Sequence, residues 1–157
     1  MSLLEFYLFG HLLGVFLLLA AAGLSTGTGI AVARTNRAAT ALMLLNLMRY
    51  SELFVTSAGA ILVVIFGSLL VDKAGYEFSD AWISAAYTLL IVVLALDHGF
   101  LMRRNRTARA MAAALGDGAV SPELGQHLND PMTVAAGALL DISFLVFLFL
   151  MVTKPGA

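Results

Sequence analysis

The sequence predicts an all-α fold, a four-helix transmembrane bundle with both termini outside, and three observations predict it. The chain is 61% hydrophobic and 12% charged over 157 residues, whereas a soluble domain is about 45–50% apolar and about 25% charged. A water-soluble core of this length could not hide the excess. The apolar residues also gather into four runs of ~20 or more, enough to cross about 30 Å of hydrocarbon at about 1.5 Å per residue. No run alternates with period two, so barrel strands are excluded.

Span one covers about residues 3–32 and contains FYLFGHLLGVFLLLAAAGL. Span two covers about 41–71, span three about 81–102 and span four about 132–152. Spans one and two are longer than a bilayer needs and should tilt or protrude. Residues 103–131 form the one long loop. Within it, Arg103–Leu115 is rich in helix formers and should continue span three. Gly116-Asp117-Gly118 breaks that helix. Ser121 and Pro122 then fit the N-cap and first position of a short helix. Asn129-Asp130-Pro131 reads as a turn or cap before span four. The whole of 1–157 reads as one domain, without internal repeats.

Orientation follows from the nine Lys and Arg residues. Arg34 and Arg37 lie between spans one and two, with Arg49 just beyond. Arg103, Arg104, Arg106 and Arg109 follow span three. Lys73 and Lys154 alone lie toward the other side. The positive-inside rule places both Arg-bearing segments in the cytoplasm and both termini outside. The opposite loop, DKAGYEFSD, is net acidic and leads into Trp82, an expected interface anchor. Span one has Glu5 and no basic residue ahead of it, so it reads as an uncleaved span rather than a leader.

Composition narrows function. The formal charge of -1, without a basic tail, gives no support for nucleic-acid binding. Zero cysteines remove disulfides, thiolate metal sites and cysteine nucleophiles. There is no paired metal motif, P-loop or nucleophile elbow. The Ser25-Thr26-Gly27-Thr28-Gly29 run lies within an apolar span with no strand before it, so it is no nucleotide fingerprint. The sequence offers no catalytic residue and no metal ligand set.

Ionisable residues inside a bilayer are costly and therefore informative. His11 falls in the outer half of span one. Arg49 and Glu52 fall in the inner part of span two, and Asp97 and His98 at the inner end of span three. Asp141 lies nine residues into span four, ~13 Å from its inner end. Glu52, Asp97, His98 and Asp141, with Arg49, are therefore expected to form one buried polar cluster on the inner side. Each has an ordinary alternative. Arg49 and Glu52 fit an i,i+3 salt bridge, and Asp97 and His98 fit helix capping near the Arg run. Asp141 could pair with Arg49, and His11 could bond a neighbouring helix. Asp97 and His98 point about 100° apart on an α-helix, so both cannot be central. His11 and His98 differ in depth by about nine residues, or ~14 Å, which disfavours one haem shared between them. A haem with His11 as its only histidine ligand and Arg49 or another buried arginine on a propionate remains open.

Gly10-His11-Leu12-Leu13-Gly14, Arg34 and Arg37, Arg49-Tyr50-Ser51-Glu52, Gly59 and Gly67, Asp80-Ala81-Trp82-Ile83 and Arg103-Arg104 together resemble a known pattern. They are similar to the bacterial four-helix integral membrane family termed domain of unknown function 2269. The resemblance covers roughly residues 5–115, with span four matched in kind. It extends distantly to copper-resistance-D-like proteins and four-helix membrane protoporphyrinogen oxidases. It implies a haem or metal association for the span-one histidine, here His11, while the lack of Cys and the Arg-over-Lys, Ala-rich composition suggest a bacterial inner membrane. The leading functional expectation is an accessory or scaffold subunit of a larger membrane complex, or a homo-oligomer, in the lipid bilayer. The alternatives are a haem-binding redox protein, and proton or cation translocation through the inner acids.

Overall fold

A computed structural model describes residues 2–156. The chain runs α1 (Leu3–Arg34), α2 (Ala38–Tyr50), a π-helical segment (Ser51–Thr56) and α3 (Ser57–Lys73). It continues through α4 (Ala81–Leu96), a second π-helical segment (Asp97–Leu101), α5 (Met102–Leu115), α6 (Pro122–Leu128) and α7 (Pro131–Thr153). Four of the helical stretches are long and apolar enough to cross a membrane, as the hydropathy predicts.

Helix ends follow local chemistry. Ser2 and Glu5 form a capping box, with Ser2 N–H donating to Glu5 Oε2 at 2.6 Å and Glu5 N–H donating to Ser2 Oγ at 3.2 Å. Helix α1 runs on to Arg34, two residues beyond the expected span, which brings a guanidinium to its negative C-terminal end. Helix α2 starts at Ala38 rather than 41. Ser121 caps α6 through the Leu124 N–H, with Pro122 in the first turn. Asp130 caps α7, its Oδ2 accepting from the Thr133 N–H at 3.0 Å and the Thr133 hydroxyl at 2.9 Å. These two accepted bonds, with Arg104 and His127 nearby, hold the Asp130 carboxyl below the usual aspartate range.

The closest seam joins α1 to α3. A Cβ on Gly14 would meet the Gly59 carbonyl oxygen and the Val63 nitrogen at 2.8 Å. A Cβ on Gly10 would enter the Phe66 ring at 2.6 Å. Without those methyls, backbone meets backbone, the packing that small residues permit between membrane helices.

Two apolar clusters fix the ends. At the Arg-rich end, Val32, Ala41, Leu45, Ala108, Ala112 and Leu124 pack α1, α2, α5 and α6 together. There the chain also pairs its loops, with Ala38 N–H donating to the Gly118 carbonyl and Val120 N–H to the Asn36 carbonyl, each at 3.0 Å. Arg104 pairs with Asp130 at 3.1 Å, tying α5 to the start of α7. At the opposite end, Val71, Trp82, Ile83, Ala86 and Leu150 join α3, α4 and α7. Trp82 meets Tyr76 edge-on with centroids 5.3 Å apart. The Lys154 ammonium donates to the Tyr76 hydroxyl at 2.9 Å and lies 4.8 Å over its ring. Ser68 and Tyr87 share a hydrogen bond of 2.7 Å between α3 and α4.

Candidate functional site

The two π-helical segments frame the site. In an α-helix each N–H reaches four residues back; here Ser57 N–H reaches the Glu52 carbonyl and Met102 N–H the Asp97 carbonyl, five residues back. Each wide turn therefore closes on the carbonyl of an acidic residue. The Ser57 hydroxyl adds a second bond to the Glu52 carbonyl at 3.2 Å. Such insertions re-aim the side chains around them and are frequent at functional sites. Neither was foreseen from periodicity, because one extra residue per turn leaves apolar spacing in a continuous apolar run unchanged.

Glu52 is the most enclosed acid, only 7% exposed, and its Oε2 has no hydrogen-bond partner. The neighbouring Ser51 hydroxyl is equally buried and unpartnered. Asp97, Asn105 and Arg109 surround the Glu52 carboxyl. Asn105 approaches it without good hydrogen-bond geometry, so both Asn105 side-chain atoms are buried without partners, and Arg109 Nε is buried without one too. A buried polar atom left unpaired costs about 1–3 kcal/mol. Several lie unpaired at one polar level. Sequence reading missed Ser51, Asn105 and Arg109. The missing signal was the packing of α5 against α2, which lays Asn105 and Arg109 beside Glu52.

The other expected members lie as follows. Asp97 and His98 pair with each other, Nδ1 to Oδ2, at 3.3 Å. Asp97 is the more buried of the two, at 15% against 44%, in keeping with their divergent directions. His98 lines an open groove of about 440 Å³ between α3 and α4, with Thr56, Ser57 and Ile61 among its walls. Asp141 stands apart. Its Oδ2 accepts from the Thr26 hydroxyl at 2.9 Å, an α1–α7 tie, so the alternative of an Arg49 partner is replaced. The i,i+3 salt bridge expected between Arg49 and Glu52 is also absent among the described residues. Arg49 stays at the exposed surface near Arg109, while the π turn beginning at Ser51 carries Glu52 inward.

His11 faces α3. Its Nδ1 lies 3.2 Å from the Val63 carbonyl, and its ring lies against Gly67, where a Cβ would meet it at 3.0 Å. This is the interhelical bond weighed from sequence. As the Nδ1–H tautomer it leaves the Nε2 lone pair for a ligand, as ligating histidines do. Arg49 does not share that place. It precedes Val63 by 14 residues in span two, ~21 Å along the axis, farther than a porphyrin extends from its iron to its propionates. A single haem held by His11 and Arg49 therefore does not fit. Among the described residues no group of three His, Cys, Asp or Glu side chains could hold a metal.

No curated protein and no solved structure gave a significant match. A family model described as predicted integral membrane protein (DUF2269) matches residues 7–155. The match continues through span four, past the limit near 115 that the sequence motifs marked. With four membrane-length helices and nearly the whole chain matched, this protein belongs to the DUF2269 family of integral membrane proteins.

Proposed function

We propose that this chain takes up and releases a proton or small cation at the polar level built around Glu52. The observation that carries the reading is the Glu52 carboxyl itself, enclosed, unpartnered, and seated on a π turn beside Ser51, Asn105 and Arg109. A carboxylate in such a place is satisfied by protonation or by a counter-ion. Asp97 and His98 extend the level toward the groove between α3 and α4.

The Gly14–Gly59 backbone contact lies seven residues beyond Glu52 along span two, or ~10 Å. It supports an inward-loading site closed toward the His11 side. With the positive-inside rule, the Arg-rich end is the cytoplasmic face of a bacterial inner membrane. Full translocation requires α1 and α3 to part at that seam.

The expectation of an accessory subunit in a larger complex rests on the small size, the short outer loops and the lack of a complete catalytic constellation, and the spans leave apolar faces uncovered. Those faces fit lipid as well as a partner. The haem reading keeps only His11.

The test is infrared difference spectroscopy of the purified chain in lipid across a pH titration, with parallel uptake assays in sealed vesicles. The wild type is expected to show a titrating carboxyl band that Glu52→Gln removes, while Asp141→Asn retains it. An unchanged band in Glu52→Gln sinks the reading. If the band behaves as expected and no flux accompanies it, the site binds without transport.

A further inference from the structure

Three guanidinium groups converge where α2 meets α5. Arg49 ends α2, and Arg106 and Arg109 lie one turn apart on α5. They are close enough that Arg109 feels the charge of the other two, and Tyr50 lies nearby. The Ala41, Leu45, Ala108 and Ala112 contact holds the two helices side by side, so the stems of the three arginines start from adjoining positions. Among the described residues, Arg104 is the one arginine with a carboxylate within 4.0 Å. Arg49, Arg106 and Arg109 therefore share a positive field that the buried Glu52 beneath them only partly offsets.

Beside the cations lies an apolar ledge. The Tyr50 and Phe54 rings stack at 14° with centroids 6.4 Å apart, and they are 60% and 68% exposed. An aromatic pair next to arginines, where the continuous apolar stretch of the Ala38–Lys73 span begins, matches the headgroup boundary, where rings meet glycerol and upper acyl chain. Guanidinium groups are suited to bidentate contact with phosphate oxygens.

We propose that Arg49, Arg106 and Arg109, with the Tyr50–Phe54 ledge, form a seat for the phosphodiester headgroup of an anionic phospholipid in the adjoining leaflet. Free phosphate would satisfy the cations and leave the exposed ring pair without a role. An acidic protein partner would need no acyl ledge. The seat shares Arg109 with the Glu52 level but also rests on the exposed Arg49 and Arg106, so Glu52→Gln, which removes a negative charge, is expected to keep or strengthen it.

The experiment compares lipid retention by the full-length chain in detergent, using native mass spectrometry with added phosphatidylglycerol or phosphatidylcholine. The wild type should retain phosphatidylglycerol in preference. The Arg49→Gln/Arg106→Gln variant should lose that preference about tenfold or more, at roughly 1 kcal/mol per arginine near the surface. Arg34→Gln/Arg37→Gln, with the same charge change at the same end, should keep it. Tyr50→Ala/Phe54→Ala should weaken retention without changing charge. Equal retention of the two lipids by wild type overturns the proposal and needs no variant to fold. Equal losses in the two arginine pairs also overturn it, because they would report net charge alone. Displacement by inorganic phosphate at the same concentration would show a phosphate site instead of a lipid seat.

Discussion

Gly14→Ala is the sharpest test of how the bundle is held. The added methyl would sit 2.8 Å from the Gly59 carbonyl oxygen, 2.8 Å from the Val63 nitrogen and 2.9 Å from Leu62 Cβ. Two of these are backbone atoms inside a helix, which cannot swing aside as a side-chain tip could. Ordinary contact begins near 3.4 Å, so α1 and α3 must separate by roughly 0.6 Å. A gap of about 0.5–1 Å forfeits a quarter to a half of each van der Waals contact across it. The separation would also stretch the 3.2 Å His11–Val63 approach. Overpacking of this kind costs about 1–3 kcal/mol. The measurement is reversible unfolding in mixed micelles, with Gly27→Ala as the control on the same helix. Nothing lies within 4 Å of a Cβ at Gly27, so that change should be neutral or stabilising by up to about 1 kcal/mol. Equal stability of Gly14→Ala and Gly27→Ala would refute the backbone-contact argument.

Further outcomes follow from other contacts. His11→Ala removes the Val63 contact and should cost about 0.6–1.7 kcal/mol, the range for hydrogen bonds between membrane helices. Because Gly67 faces the same ring, Gly67→Ala should be less harmful in the His11→Ala background, and additive effects in a double-mutant cycle would count against the geometry. Trp82 is the single tryptophan, and Lys154 lies 5.8 Å from its ring, so Lys154→Ala should change Trp82 emission whereas Lys73→Ala should not. Asp130 has its proton affinity lowered on folding. Its contribution is therefore complete above the unfolded-state value of about 3.9 and lost as pH falls through the lower folded value. Thermal melting of Asp130→Asn should be below wild type at neutral pH and should converge with it in acid. A constant gap down to the lowest accessible pH would contradict that linkage.

Sequence reading located the helix ends where a local rule governs them. Ser121-Pro122 and Asp130-Pro131 place a cap and a proline side by side, and both start helices as read. Gly116-Asp117-Gly118 ends α5 because a flexible glycine pair interrupts a run of helix formers. The candidate site was harder to read. Asp97 and His98 are chain neighbours, so their pairing is local. Asp141 instead turned to Thr26, a residue 115 positions away, and only interhelical packing selects such a partner. Arg49 and Glu52 parted because a π turn falls between their directions, and that widening leaves no mark in an apolar run.

Four membrane-length helices, their order and the Arg-rich end were determined by the sequence alone, because apolar run length and charge position act residue by residue. The tertiary structure decided which polar groups share a level. Asn105 and Arg109 reach Glu52 only because α5 lies along α2, and His11 meets Val63 only because Gly14 and Gly59 let two backbones touch. Contacts between distant segments depend on the rotation and spacing of whole helices. A single side chain's hydropathy does not encode those quantities.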